Sequence, residues 1–246
     1  MVVWDPPIRD YQFLYHELLP AIETVQRLGY TDFNADFLDS LIEGWATHCE
    51  EVWLPINQLG DREGLKFEDG KITMPQEFKD AYRKGIDEGW LSTTCELEHG
   101  GMGVPLFFQA VTWAEFGTSA CMALSVLPAL SIGVYEVLVK HGRQDLIDYF
   151  ATNLASGEWS GTMCLTEPHA GTDLGIIATK ANPQEDGTYR LSGWKCFITY
   201  GEHDMAENIV HLVLAKAPGG PEGTRGISLF LVPKFLSEDW QSGGLE

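Results

Sequence analysis

Between Asp36 and Trp53 the apolar residues Phe37, Leu38, Leu41, Ile42, Trp45, Ala46 and Cys49 recur at steps of three and four. That spacing predicts one buried face of a helix, with Pro55 as its stop. Asp61–Thr73 is charged and contains glycine, which predicts a loop with room for a short hairpin. Pro75 stands at a helix start, and the helix is expected to reach about Glu88, with Gly89 near its end. Further helices are expected from near Pro105, from Met122 to His141 and from Gln144 to Ala155.

At Gly157 the pattern changes. Short apolar runs now alternate with turn residues, and strands are expected over Trp159–Thr166, Ile176–Ala181, Thr188–Ser192, Lys195–Thr199, Ile209–Lys216 and Gly226–Val232. Helices followed by strands predict an α+β fold, divided into a helical domain over residues 1–156 and a β domain over residues 157–246.

Composition narrows what the chain can do. It has 246 residues, 44% of them hydrophobic, enough for a sizeable core. Its net charge of −20 opposes nucleic-acid binding, which needs a basic surface to release counterions, and also opposes docking on an anionic membrane. An anionic cofactor would need local backbone donors instead. Five cysteines without a C-x-x-C pair predict a reduced, cytoplasmic protein without a disulfide framework. Met1–Pro7 has no signal-peptide pattern, and the apolar window Cys121–Val139, broken by Pro128, Gly133 and Glu136, reads as a buried helix and not a membrane span.

Two segments carry candidate chemistry. In Cys164–Asp173 an expected strand delivers Thr166 into a turn of Pro168, Ala170 and Gly171. The small residues allow close approach to the backbone, and Thr166 and Thr172 add hydroxyls. By composition alone, a capped hairpin turn accounts for this segment better than a ligand site does. In Gly193–Gly201 an expected strand places Phe197 and Thr199 on one face, suited to a flat heterocycle or to ordinary packing of one inward ring. Gly101-x-Gly103 has no preceding strand and reads as a turn, not a dinucleotide loop. His169, Asp173, His203 and Asp204 are residue types that bind zinc, but they lie in separate turns without a recognised ligand spacing.

Taken together, Leu165-Thr-Glu-Pro-His-Ala-Gly-Thr-Asp173 and Phe197-Ile-Thr-Tyr-Gly201 resemble the acyl-CoA dehydrogenase family. Gly100-Gly-Met-Gly103 and Gly157-Glu-Trp159 belong to the same resemblance, which spans Asp36 to Phe235 and is nearest to the large members similar to 3-methylmercaptopropionyl-CoA dehydrogenase.

The resemblance implies a β-barrel-like middle domain, FAD as cofactor, and α,β-dehydrogenation of an acyl-CoA thioester. Met163, Cys164, Leu165, Thr166, Gly171 and Thr172 would lie along FAD, with Leu165 and Thr166 at the pyrimidine edge. Thr172 would also stand near a phosphate or the CoA arm. Phe197 would stack on the flavin where many relatives carry Trp, Ile198 would follow it, and Thr199 would bond near N5. Tyr200 departs from the small residue or Asn usual there. Leu127 and Ser131, with Leu124 and Pro128, are either acyl-pocket or plain core residues. The resemblance further implies an electron-transfer acceptor and a homo-oligomer. The family's base lies in a C-terminal helical bundle that is not expected within these 246 residues, so no catalytic residue is assigned. A non-catalytic flavin or acyl-CoA binding module, or one half of a split enzyme, is the alternative.

Overall fold

The computed structural model describes residues 4–236. The opening Met1–Val3 and residues 237–246, which include the end of the expected β domain, lie outside the described residues.

The helices are α1 Ile8–Gln12, α2 Ala21–Arg27, α3 Ala35–His48, α4 Leu54–Glu63, α5 Gln76–Asp87, α6 Leu106–Phe108, α7 Ala114–His141 and α8 Gln144–Ser156. Asn34 starts α3 by accepting the Phe37 amide at 2.9 Å, which satisfies one of the donors a helix start leaves open. Pro55 does not stop this helix. A π-helical stretch, Cys49–Trp53, joins α3 to α4, and Pro55 lies in the first turn of α4, where its missing N–H costs nothing. The following loop carries the hairpin of β1 Lys66–Glu68 and β2 Lys71–Thr73.

Two apolar clusters fill the interior. The first is centred on Trp45, Trp53 and Trp113, with the Trp45 and Trp113 rings stacked 4.8 Å apart. The second gathers Ile132, Val134, Tyr135, Leu138, Phe150 and Leu154 beside Val210 and Leu212. The run Leu106–His141 is long and apolar enough to cross a membrane by length and composition, and half of its most apolar window is buried inside the protein. Within it Cys121 leaves helical geometry (φ −153°, ψ 90°), and Pro128 withholds an amide from the helix ladder.

The later strands are β3 Trp159–Cys164, β4 Lys180–Pro183, β5 Tyr189–Ser192, β6 Asn208–Lys216 and β7 Ile227–Pro233. They form one mixed sheet. β6 runs parallel to β3 and β4 and antiparallel to β7, while β4 and β5 make an antiparallel pair. Tyr189 of β5 meets Phe230 of β7 edge-on, 5.1 Å between centroids, so the sheet curls in a barrel-like sense. Ile176–Ala181 is only partly a strand. Asp173 caps a 3₁₀ turn at Leu174–Ile176, and pairing begins at Lys180.

Helix α7 lies against β3 at Gly161. A Cβ there would stand 2.7 Å from Val134, and the Gly161 amide donates to Ser131 Oγ at 3.0 Å. The strand that feeds the candidate site is thereby fixed to the longest helix.

Candidate functional site

Alternation along β3 sorts the first segment. Ser160, Thr162 and Cys164 are buried on one face, whereas Met163 on the other is 38% exposed. Cys164 therefore points away from Met163, toward His211, and offers the Met163 side only its backbone. Beyond β3 the turn closes on itself. Glu167 N donates to Ala170 O at 2.8 Å and Ala170 N returns to Glu167 O at 3.0 Å. Gly171 and Thr172 are exposed at its rim.

The second segment is not a strand. Residues 193–200 are irregular, and Phe197 and Tyr200 have positive φ, 57° and 53°. Two left-handed residues break the alternation that a strand requires, and such geometry in non-glycine residues has to be held by its surroundings. Long-range bonds hold it. Cys196 N donates to Thr166 O at 2.9 Å, Lys195 Nζ donates to Leu165 O at 3.0 Å, and Tyr200 OH donates to Ala123 O at 2.5 Å. The Phe197 ring emerges 91% exposed, with Thr199 exposed and Ile198 partly covered beside it. The sequence pairing of Leu165–Thr172 with Phe197–Thr199 is thus realised in space through the Cys196–Thr166 bond.

Beneath the rim lies a polar knot. The Glu167 side chain is 2% exposed and accepts from Ala178 N, Thr179 N, Thr179 Oγ1 and Lys195 Nζ, the last at 2.8 Å. Burial alone would push its carboxyl up. The Lys195 ammonium and the other donors outweigh burial and bring it down to about 2. Gly193 allows this close packing, since a Cβ there would meet Thr179 Oγ1 at 2.3 Å. A carboxylate this acidic and this fully bonded holds structure and does not collect protons.

A second buried group lies on the far face of β3. His203 Nδ1 accepts from Met205 N at 3.1 Å, so the ring proton sits on Nε2 and is donated to Ser160 Oγ at 2.9 Å. Burial, with Lys234 nearby, pulls the His203 pKa down to about 4. Asp204 is held separately, by Lys79 and the Met74 amide, and His169 donates to Ile176 O. The four residues weighed as zinc ligands thus have different partners.

Leu127 is fully buried, and Ser131, 3% exposed, donates to Leu127 O while accepting from Gly161. Both are buried residues of α7 in this structure. Lys195 and Thr179 are the site-builders that the sequence reading leaves out, whereas Tyr200 and His203 stand out there for other reasons. A local hint for Lys195 is its place as a basic residue two positions before Phe197 in a strongly acidic chain.

Residues 62–158 match the family model for the acyl-CoA dehydrogenase N-terminal domain, and residues 162–242 match that for the acyl-CoA dehydrogenase middle domain. The chain belongs to the acyl-CoA dehydrogenase family. It is 42% identical over 238 residues to the 3-methylmercaptopropionyl-CoA dehydrogenase of Ruegeria pomeroyi, covering 96% of this chain and 40% of that protein. A butyryl-CoA dehydrogenase of Syntrophomonas wolfei is 35% identical over 242 residues, again 96% of this chain and 39% of the relative. The chain therefore spans about two fifths of the length of these acyl-CoA dehydrogenases. The fold is shared with a Bacillus anthracis acyl-CoA dehydrogenase complexed with FAD, with a TM-score of 0.66, 23% identity, and 83% of this chain against 32% of that one.

Proposed function

We propose that this chain forms the flavin-facing part of an FAD-dependent acyl-CoA dehydrogenase. The observation that carries this reading is the Cys196–Thr166 bond, which brings an exposed aromatic ring and a rim of uncommitted polar groups together. Among the described residues no hydrogen bond engages the Thr166 amide or the hydroxyls of Thr166, Thr172 and Thr199. A bare ring beside free donors and a small-residue turn fits a flat, partly anionic heterocycle.

FAD would supply hydride acceptance from the β-carbon of an acyl-CoA thioester. Met163, the Leu165 backbone, Thr166 and Gly171 would bind and orient it, with Cys164 contributing backbone only. Phe197 and Ile198 would cover its face, and the Thr199 hydroxyl would bond its edge. Thr172 would serve a phosphate or the CoA arm. No proton-abstracting residue is assigned, and Glu167, the carboxylate within the turn, is committed to four donors.

The same reading divides the chain at residue 157 and makes it part of a cytoplasmic homo-oligomer in fatty acid metabolism that passes electrons to a separate acceptor. Leu106–His141 is taken as a core helix and not a membrane span. Because the chain spans two fifths of its relatives, a binding module or one half of a split enzyme is the second reading.

Titration of the purified chain with FAD, followed by flavin absorbance and fluorescence, tests the proposal. Saturable uptake that weakens in Phe197→Ala supports it, and a chain that takes up no FAD refutes it. Turnover of an acyl-CoA by this chain alone would overturn the assignment of no base.

A further inference from the structure

The Glu167–Lys195 pair lies directly under the rim, and its two ends are not equivalent. The Lys195 ammonium is 3.0 Å from the Leu165 carbonyl oxygen, and its side chain is only 12% exposed. That oxygen belongs to the same planar peptide as the Thr166 N–H, which is uncommitted. A charged donor on the oxygen draws electron density through the peptide and makes the N–H at its other end a stronger donor. The carboxylate end is held by Ala178, Thr179 and Lys195.

We propose that Lys195 is a positioning residue that polarises the Leu165–Thr166 peptide and so raises the reduction potential of a flavin bound at this rim. The inference rests on the flavin reading above and deepens it. A sharpened Thr166 donor favours whichever state of the ligand carries more negative charge, which for a flavin is the reduced one. Glu167 sets the size of the effect. It keeps Lys195 in place, and its negative charge offsets part of the ammonium field.

This division of labour predicts shifts of opposite sign. Lys195→Met removes the ammonium but leaves Glu167 with Ala178 N, Thr179 N and Thr179 Oγ1, so the turn keeps its fold. Glu167→Gln removes the offsetting charge but keeps a side-chain oxygen that can accept from Lys195, so the ammonium stays on Leu165 O. The FAD-loaded chain and both variants are reduced by two electrons in dye-linked equilibrium titrations. The expected result is a midpoint potential lower than the parent in Lys195→Met and higher in Glu167→Gln. A loss of packing alone would move both in one direction, and that outcome, or no shift in either, overturns the inference.

A second readout needs no cofactor. In the free protein the Thr166 amide proton resonance should move upfield in Lys195→Met, because its peptide loses the charged donor. An unchanged resonance overturns the polarisation even if a variant binds FAD poorly. Failure of the parent chain to take up FAD would instead remove the flavin reading, and the amide resonance would still decide whether Lys195 polarises the peptide.

Discussion

Tyr200 donates its hydroxyl hydrogen to the carbonyl oxygen of Ala123, 2.5 Å away, joining the loop that carries Phe197 to the helix α7 just beyond its irregular residue Cys121. Tyr200 holds a left-handed backbone, φ 53°, that a bulky residue adopts only when its surroundings enforce it. Phenylalanine at 200 would keep that backbone and lose the tether. Tyr200→Phe is expected to cost about 1 kcal/mol, or roughly 2–4 °C in thermal unfolding. It should also weaken FAD uptake, because the loop loses one of its anchors. An unaltered melting temperature and an unaltered FAD titration together would show that the tether does nothing.

Phe197 should behave in the opposite way. At 91% exposure its ring contributes little to the fold. Phe197→Ala is expected to leave thermal unfolding within about 0.5 kcal/mol of the parent. Loss of a stacking ring should lower flavin affinity by about 3- to 10-fold. A drop in stability without a drop in affinity would make Phe197 a packing residue.

His203 predicts a pH dependence of folding. Its folded pKa, about 4, lies below the ordinary value of about 6.5, so the unfolded chain binds the extra proton more readily. The stability this histidine contributes is complete above about pH 6.5 and is lost as the pH falls toward about 4, at most roughly 3 kcal/mol. Burial is the main cause, and Lys234, Glu202, Asp204 and His211 modulate it. Urea denaturation at a series of pH values should show midpoints falling across that window in the parent and a flatter profile in His203→Gln. Equal slopes in the two proteins would count against it.

Gly161 is expected to resist enlargement. A methyl group there would stand 2.7 Å from Val134, and a buried strand packed against a core helix does not yield cheaply. Gly161→Ala should cost about 1–3 kcal/mol in chemical denaturation. It should also loosen the turn after β3, seen as faster amide exchange at Thr166 and Glu167. A stable variant with unchanged exchange would mean that α7 shifts without consequence for the site.

The sequence revealed features whose causes are local. Apolar spacing located α3, α7 and α8, Pro75 marked the start of α5, and the β3 and β6 strands showed as short apolar runs. Pro55 was read as a stop because a proline that breaks one helix and a proline that opens the next look alike in sequence. The difference lies in the π-helical stretch before it. Lys195–Thr199 failed as a strand for a different reason. Its conformation is set by bonds to Thr166, Leu165, Glu167 and Ala123, all distant in sequence, and no local pattern announces two left-handed residues. Two-part motif matching could pair the segments, but the pattern does not show that one buried carboxylate joins them.

Helix α7 places Leu124 and Leu127 in the tryptophan-centred cluster and Ile132, Val134, Tyr135 and Leu138 in the cluster against the sheet. Neither cluster can lose this helix and stay filled. The helical and sheet halves therefore melt as one cooperative unit, and a calorimetric scan should trace a single endotherm whose midpoint moves as a whole when either side of the helix is weakened.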